Sequence, residues 1–163
     1  MAKDNEFGEP VEVTVGVPGG TRSVAITNPD KVMFPSVGAH KQERTKLDLA
    51  RYYVAVGDAI MRTLNDRPVL LERYPNGVRG KSFFQKRIPE SAPDWLQTTT
   101  VETINGTPSR ALVIGALAHV LWAANQGVLG LHRVPFRSPH PHHHDAPRTA
   151  LHPTPAVPIH QPR

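Results

Sequence analysis

The feature that most constrains this chain is a change of composition at His132, which divides its 163 residues into two unlike regions. Residues 133–163 hold eight of the 17 prolines and six of the nine histidines. Proline donates no backbone hydrogen bond, and large apolar side chains are few there, so we expect neither helix, strand ladder nor core. The sequence therefore predicts one folded domain at residues 1–132 and a disordered tail at residues 133–163.

Strand signals recur through the first of these regions. Alternating apolar and polar residues flank the turn sequence Pro18-Gly19-Gly20, and a second pair of segments flanks Asn105-Gly106, so two hairpins are expected. Three further short apolar runs have the length of strands. The predicted strands are residues 11–17, 23–27, 68–73, 82–86, 101–104, 111–114 and 128–132.

Helix signals are interspersed among these strands. Asn28-Pro29-Asp30 is typical of a helix start, with asparagine as the N-cap and proline at the first helical position. Thr45, with an acid three residues later, resembles a capping box, and the apolar spacing up to Leu64 predicts one amphipathic helix. Residues 117–124 predict another helix, closed by Gly127. Helices and strands are mixed rather than strictly alternating, which indicates an α/β or α+β class.

Composition excludes several classes of protein. The chain has no cysteine, and therefore neither a disulfide framework nor a cysteine metal site. No apolar run approaches the roughly 18 residues that span a bilayer, and the polar, acidic start differs from a secretory signal. We therefore expect a cytoplasmic protein with no membrane partner. The net charge of +5 suits a nucleic-acid partner and equally suits ordinary surface charge.

Five segments follow one another in a specific order between residues 20 and 132. In that order they resemble the primase-polymerase domain of the bacterial end-joining DNA ligase D family, in the archaeo-eukaryotic primase superfamily. The resemblance implies a mixed sheet with packed helices, of which this chain would hold the amino-terminal part. The segments are ITNPDKVMFP (26–35), TKLDLARYY (45–53), RYPNGVRGKSFFQK (73–86), APDWL (92–96) and ALAHVLWAANQGVLGLH (116–132).

The resemblance also implies a function. Members of this family add nucleotides to broken DNA ends during non-homologous end joining, and they recognise a 5′-phosphate at the gap or break. The implied partners are DNA ends or gapped duplex, and end-joining proteins such as bacterial Ku.

The family's 5′-phosphate site corresponds to Asn28, Lys31 and Lys46 in this sequence. Two ammonium groups supply charge to a phosphate dianion, and an amide or a helix N-terminus supplies directed donors. From the residues alone, the alternative is that Asn28 only caps a helix and that both lysines are solvated.

Phe83 and Phe84 are neighbours on a predicted strand, so one is expected to face the core and the other the opposite side. The resemblance implies that one of them stacks on a DNA base. The alternative is that both belong to the core. Lys86, together with Lys81, would line the DNA backbone or be merely solvated. His132 corresponds to a histidine that lies near the incoming triphosphate in the family.

The family's catalytic carboxylates are the point at which the resemblance fails. Nucleotidyl transfer there uses manganese or magnesium ions held by carboxylates. A strand after the histidine supplies two of these aspartates, and this sequence has Ala150 and His152 in their places. We therefore expect no catalytic residue, no metal and no cofactor in this chain, which would be inactive alone.

Two causes of this difference remain open: a frameshift or truncation near residue 133, and divergence into a non-catalytic relative. Two functions besides an inactive enzyme fragment remain open as well. One is a module that binds DNA ends without synthesis, and the other is a poorly folded product of a damaged gene.

The histidines of the tail are a separate candidate for metal binding. His140, His142, His143 and His144 carry imidazoles, which are good ligands of zinc, nickel or copper. No ordered scaffold is expected around them, so we do not expect a physiological metal site.

Overall fold

The computed structural model describes residues 6–38, 42–102, 106–138 and 140–144. The helices are α1 (Lys46–Ala55), α2 (Gly57–Leu64) and α3 (Leu117–Asn125). The strands are β1 (Val11–Val17), β2 (Gly20–Ile26), β3 (Val32–Phe34), β4 (Arg44–Thr45), β5 (Arg67–Arg73), β6 (Phe83–Gln85), β7 (Thr98–Glu102), β8 (Pro108–Ile114), β9 (Val128–Arg133), β10 (Phe136–Arg137) and β11 (His140–His144). The described strands pair antiparallel throughout, which makes the mixed fold α+β rather than doubly wound α/β.

Strand β5 is the centre of a five-stranded sheet. On one edge it pairs first with β8 and then with β6, and on the other edge it pairs with β9. Strand β7 extends the sheet beyond β8 and completes the second predicted hairpin, whose turn residues 103–105 lie outside the described residues. The first predicted hairpin is β1 and β2. Both hairpins are therefore confirmed in their pairing.

Helix α3 lies in the middle of the molecule. Seven of its nine residues are buried, because it packs against the central sheet on one side and against the β1–β2 hairpin on the other. Val120 belongs to the first of these cores and Leu121 to the second. A helix that is apolar on all sides is one that the fold surrounds, as here. None of the helices in the described part of the chain has the length and apolar character to cross a membrane.

The single helix predicted after Thr45 is two helices. The capping box is confirmed, since the Asp48 amide donates to Thr45 Oγ1 (3.3 Å) and the Thr45 amide donates to Asp48 Oδ2 (2.9 Å). The apolar periodicity does not reveal the break, which falls at Val56. A Cβ at Gly57 would lie 2.7 Å from Leu117 Cδ2, so glycine allows α2 to start close against α3.

The helix start predicted at Asn28-Pro29-Asp30 is wrong. Asn28 has a left-handed backbone, with φ of 50°, and its carbonyl accepts from the Lys31 amide at 3.1 Å, which closes a turn before β3. Two later carbonyls of this turn accept from the first amides of α1. Pro29 O accepts from the Leu47 amide at 3.0 Å, and Lys31 O accepts from the Lys46 amide at 2.9 Å. The first amides of a helix have no hydrogen-bond acceptor within it, so this turn supplies acceptors for the first two amides of α1.

The expectation that residues 133–163 build no strand is wrong in part. Strand β9 extends to Arg133, and β10 pairs antiparallel with β11. The Val134 amide donates to Pro68 O (3.1 Å) and the Ser138 amide to Asp66 O (2.7 Å), which joins this segment to β5 and the residue before it. Non-proline residues supply these donors. Residues 139 and 145–163 lie outside the described residues, and the boundary between domain and tail stays a prediction.

Candidate DNA-binding site

Three segments of the sequence meet at the C-terminal end of α3. The side-chain oxygen of Asn125 accepts from the Thr27 amide at 2.9 Å, at the end of β2. The carbonyl of Asn125 accepts from Lys46 Nζ at 3.1 Å, and the carbonyl of Gln126 accepts from Arg73 Nε at 2.8 Å. Carbonyls at a helix C-terminus lack helical partners and carry partial negative charge, so cationic side chains bind them.

Lys31 lies beside this helix end, because its carbonyl binds the Lys46 amide. Its Nζ donates to Asn76 Oδ1 at 3.4 Å and lies 5.7 Å from the centroid of the Phe7 ring. Asn28 is exposed at the start of the same turn. The fold therefore brings the three residues predicted for the 5′-phosphate into one region. Their binding role stays a prediction.

Lys31, Lys46 and Arg73, which we call the cation cluster, carry charge that no described carboxylate balances. Their hydrogen-bond partners are amide oxygens of Asn76, Asn125, Gln126 and Gln85. Among the described residues, no acid forms a salt bridge with any of the three. The cluster can therefore attract an anion.

Lys46 is the most buried member of the cation cluster, with 7% of its surface exposed. Burial lowers the pKa of Lys46 to about 8, and the charges of Lys31 and then Arg73 contribute to the same shift. Burial also lowers the pKa of Arg73, whose guanidinium nevertheless stays charged. A phosphate at this position would relieve the repulsion among the three cations.

Arg73 begins one of the five segments, but nothing in the sequence pattern predicted a role for it. Its placement depends on β-sheet register, because Arg73 pairs with Phe83 across β5 and β6. The guanidinium carbon lies 5.3 Å from the centroid of the Phe83 ring. The signal that the sequence does offer is an arginine at the end of a buried strand. Only the pairing of β5 in the sheet places that arginine at the end of α3.

The expectation that Phe83 or Phe84 enters the core is wrong for both. Phe83 is 47% exposed and Phe84 is 55% exposed, on opposite faces of β6. Strand β6 pairs with the last three residues of β5, at the end of the sheet that the main core does not cover. Both rings are therefore accessible to a DNA base, and Phe83 is the one beside the cation cluster.

The opposite face of the sheet carries a carboxylate that is hydrogen-bonded on both of its oxygens. His132 Nε2 and Glu72 Oε2 are 2.9 Å apart, and the Tyr74 hydroxyl donates to Glu72 Oε1 at 2.8 Å. The hydrogen bonds from His132 and then Tyr74 lower the pKa of Glu72. The Phe84 ring meets the His132 ring edge-on, with centroids 5.5 Å apart. Lys86 is exposed. Glu72, which no sequence pattern singled out, holds His132 in place through their hydrogen bond.

Predictions about metal ligands fall largely outside the described residues. Ala150 and His152 lie outside the described residues, as do the side chains of the histidines in β11. In the described part of the chain, no three His, Asp or Glu side chains come close enough to hold a metal ion.

Comparison with known proteins gives concordant results. Residues 45–163 match the family model of the LigD primase-polymerase domain. The multifunctional non-homologous end joining protein LigD of Mycolicibacterium smegmatis is 34% identical over 109 residues, which are 67% of this chain and 14% of that protein. The bifunctional LigD of Bacillus subtilis is 36% identical over 112 residues, which are 69% of this chain and 16% of that protein. The chain therefore spans only a small part of these relatives.

The fold has a solved counterpart. The polymerase domain of Mycobacterium tuberculosis ligase D, in complex with DNA, superimposes with a TM-score of 0.62 and 33% sequence identity. The match covers 70% of this chain and 38% of that domain. Since the family model also covers more than half of the sequence, the chain belongs to the LigD primase-polymerase family.

Proposed function

We propose that this chain is a DNA-end-binding module of the non-homologous end-joining type, which recognises the 5′-phosphate of a gapped or broken duplex. In this proposal Lys31 and Lys46 bind the phosphate, with Asn28 at the edge of the site. Arg73 adds a third charge, and Phe83 stacks on a base beside it. The solved relative with DNA and the family membership support a DNA partner.

The observation that carries the proposal is the charge of the cation cluster. Three cationic side chains converge, and their described partners are neutral amide groups. Hydrogen bonds to a charged group are stronger than neutral ones, so a terminal phosphate dianion gains more here than an internal phosphodiester, which carries a single negative charge. Recognition of an end, rather than of duplex in general, follows from that difference in charge.

We further propose that this chain does not transfer nucleotides. Manganese or magnesium in a polymerase needs carboxylate oxygens. The sequence offers Ala150 and His152 where the family has aspartates, so the residues do not fit that metal pair. Glu72 also places a carboxylate beside His132, which opposes a triphosphate at that histidine. A cytoplasmic location and contact with bacterial Ku remain part of the proposal.

The test is a titration of gapped duplex DNA, with and without a 5′-phosphate, followed by fluorescence anisotropy. We expect the phosphate to tighten binding, and Lys31→Ala to remove about 1–3 kcal/mol of that gain. Arg62→Ala is the matched control, since Arg62 is exposed on α2, away from the cation cluster. Affinity should also fall steeply with salt, because phosphate contacts release counterions.

Four outcomes would contradict parts of this proposal. Equal affinity with and without the 5′-phosphate would overturn end recognition. If Lys31→Ala binds as well as the parent, the phosphate site is elsewhere. Incorporation of nucleotides on a gapped duplex with manganese would show that the chain is catalytic. A protein that aggregates and lacks a cooperative unfolding transition would instead favour the product of a damaged gene.

A further inference from the structure

Gln85 ends strand β6, and its side-chain amide binds two arginines. The oxygen Oε1 accepts from Arg73 Nη1 at 2.8 Å, and the nitrogen Nε2 donates to the carbonyl of Arg87 at 2.9 Å. In the pairing of β6 with β5, Phe83 lies opposite Arg73, and Gln85 is two residues further along β6. Side chains two residues apart on a strand share one face, so Gln85, Phe83 and Arg73 lie on the same side of the sheet.

We propose that Gln85 determines the charge of the cation cluster, because its neutral amide positions the Arg73 guanidinium and leaves that charge available to an anion. Gln85 is therefore a positioning residue, which acts on the 5′-phosphate through Arg73. The inference rests on the proposed function, and it identifies the residue that sets the preference of the site for a phosphate dianion.

The orientation of the Gln85 amide is fixed by the groups on both sides of it. The Arg87 carbonyl can only accept a hydrogen bond, so it must face the amide nitrogen. The guanidinium of Arg73 can only donate, so it must face the amide oxygen. Rotating the amide by half a turn would place like groups together at both contacts, and Gln85 therefore holds one orientation.

Three contacts hold the Arg73 guanidinium in place. Nη1 donates to Gln85, Nε donates to the Gln126 carbonyl at 2.8 Å, and the guanidinium carbon lies 5.3 Å from the centroid of the Phe83 ring. Within the described part of the chain, these bonds use two of the five N–H donors that an arginine carries. The remaining donors are available to a phosphate, whose oxygens suit the fork of a guanidinium.

The neutral charge of Gln85 matters because a carboxylate of the same size would bind Arg73 more strongly. A glutamate side chain in this place would form a charge-assisted contact with the guanidinium through both of its oxygens. That contact would occupy donors that a phosphate needs and would lower the net charge of the cation cluster. Arg73 is partly buried, so water would screen this effect less than at an exposed site.

Lys46 responds to the same charge. The pKa of Lys46 is lowered to about 8, first by burial and then by the charges of Lys31 and Arg73. A carboxylate beside Arg73 would offset one of these causes, and the pKa of Lys46 would rise. The protonation of Lys46 therefore reports the charge at Arg73 in the absence of DNA as well as in its presence.

The test compares gapped duplexes with and without a 5′-phosphate by fluorescence anisotropy. Gln85→Glu should reduce the gain from the phosphate about fivefold to tenfold and leave the affinity for unphosphorylated DNA within about twofold. Gln85→Met removes the acceptor and keeps the charge of Arg73, so it should reduce the gain only about twofold. Gln42→Glu is the matched control and should leave the gain unchanged, since Gln42 Oε1 also accepts from an arginine, Arg44, at 2.8 Å, outside the cation cluster.

The order of the Gln85 variants distinguishes an effect of charge from a structural role. A glutamate side chain still accepts from Arg73 and a methionine side chain does not, so a purely structural role would make Gln85→Met the weaker variant. We expect the opposite order, and thermal melting checks that both variants fold. The gain that remains in Gln85→Glu should also persist to higher pH than in the parent, because the pKa of Lys46 rises.

The outcomes separate this inference from the proposed function. If Lys31→Ala loses the gain from the 5′-phosphate and Gln85→Glu keeps it, Gln85 does not set the charge of the site. A smaller gain in Gln85→Met than in Gln85→Glu would reduce Gln85 to a structural residue. The third outcome is a rise of the Lys46 pKa in Gln85→Glu, measured by NMR of the lysine side chain, in a protein whose DNA binding ignores the 5′-phosphate. The proposed function would then be wrong, and Gln85 would still set the charge of the cation cluster.

Discussion

The last two residues of β5 begin two chemically different surfaces. On one face, Glu72 pairs with His132, and Phe84 packs edge-on against that histidine. On the other face, Arg73 lies over Phe83 and joins Lys31 and Lys46. The two phenylalanines are similarly exposed and adjacent in sequence. Exposure therefore does not distinguish them, whereas the balance of charge around each ring does.

The difference shows how one strand can separate two functions. Successive side chains of a strand point to opposite faces, so a single residue step moves from a hydrogen-bonded carboxylate to uncompensated positive charge. Stacking works with any base, but phosphate is attracted only where positive charge is in excess. The affinity for DNA should therefore depend on the face of Phe83 more than on the face of Phe84.

The largest expected effect comes from a substitution at Gly77, in the turn that follows β5. Gly77 has φ of 75°, and a Cβ there would lie 2.8 Å from the carbonyl oxygen of Met33. Gly77→Ala should lower the free energy of unfolding by about 3 kcal/mol and displace Asn76 from Lys31. Urea unfolding measures the first effect, and the 5′-phosphate dependence of DNA binding measures the second.

Gly19→Ala is the matched control for that substitution. Gly19 also has a left-handed backbone, with φ of 85°, but no atom lies within 4 Å of its added Cβ. Backbone strain alone should lower the free energy of unfolding of this variant, by about 1 kcal/mol, and its DNA affinity should stay unchanged. Equal losses in the two variants would mean that the contact with β3 contributes nothing.

The comparison of the two phenylalanines is tested by truncating each. Phe83→Ala should cost about 1–3 kcal/mol of affinity for gapped DNA, because a base stacks there beside the cation cluster. Phe84→Ala should cost less than about 0.5 kcal/mol. Both side chains are exposed, so neither variant should lose much stability in a thermal melt. A larger loss of affinity for Phe84→Ala would reverse the assignment of the two faces.

The pH dependence of phosphate binding is the smallest expected effect. The ammonium of Lys46, with its pKa lowered to about 8, is charged below that pH and neutral above it. The gain from a 5′-phosphate should therefore be present near pH 7 and decline by about 1 kcal/mol as pH rises beyond 8. A bound phosphate raises the pKa and moves this decline upward.

Lys46→Arg provides the control for the pH profile. Arginine stays charged throughout this range, so the variant should show a flat profile between pH 7 and 9. A parent profile that is equally flat would show that the amine of Lys46 does not contact the phosphate. Fluorescence anisotropy with phosphorylated and unphosphorylated DNA at each pH isolates the gain from general effects on DNA binding.

Much of the fold followed from local sequence. The capping box of Thr45 and Asp48 requires only residues three apart, and α3 with Gly127 behind it has its signals within a dozen residues. The hairpin β1–β2 was predicted for the same reason. Family membership also came from short segments in order. Signals of this kind act between neighbours in the chain, so they can be read without knowing the tertiary fold.

The tertiary structure alone decided the chemistry of the candidate site. Asn28 became part of a turn because the carbonyls after it satisfy the start of α1. Arg73 reached Lys46 only because both bind the end of α3. The sequence indicated most of the longer strands and helices, but not the turn at Asn28 or the break at Val56, and its resemblance to the family made Lys31 and Lys46 candidates. Charge balance and exposure depend on groups that are distant in sequence and close in space, and only the packed fold brings those groups together.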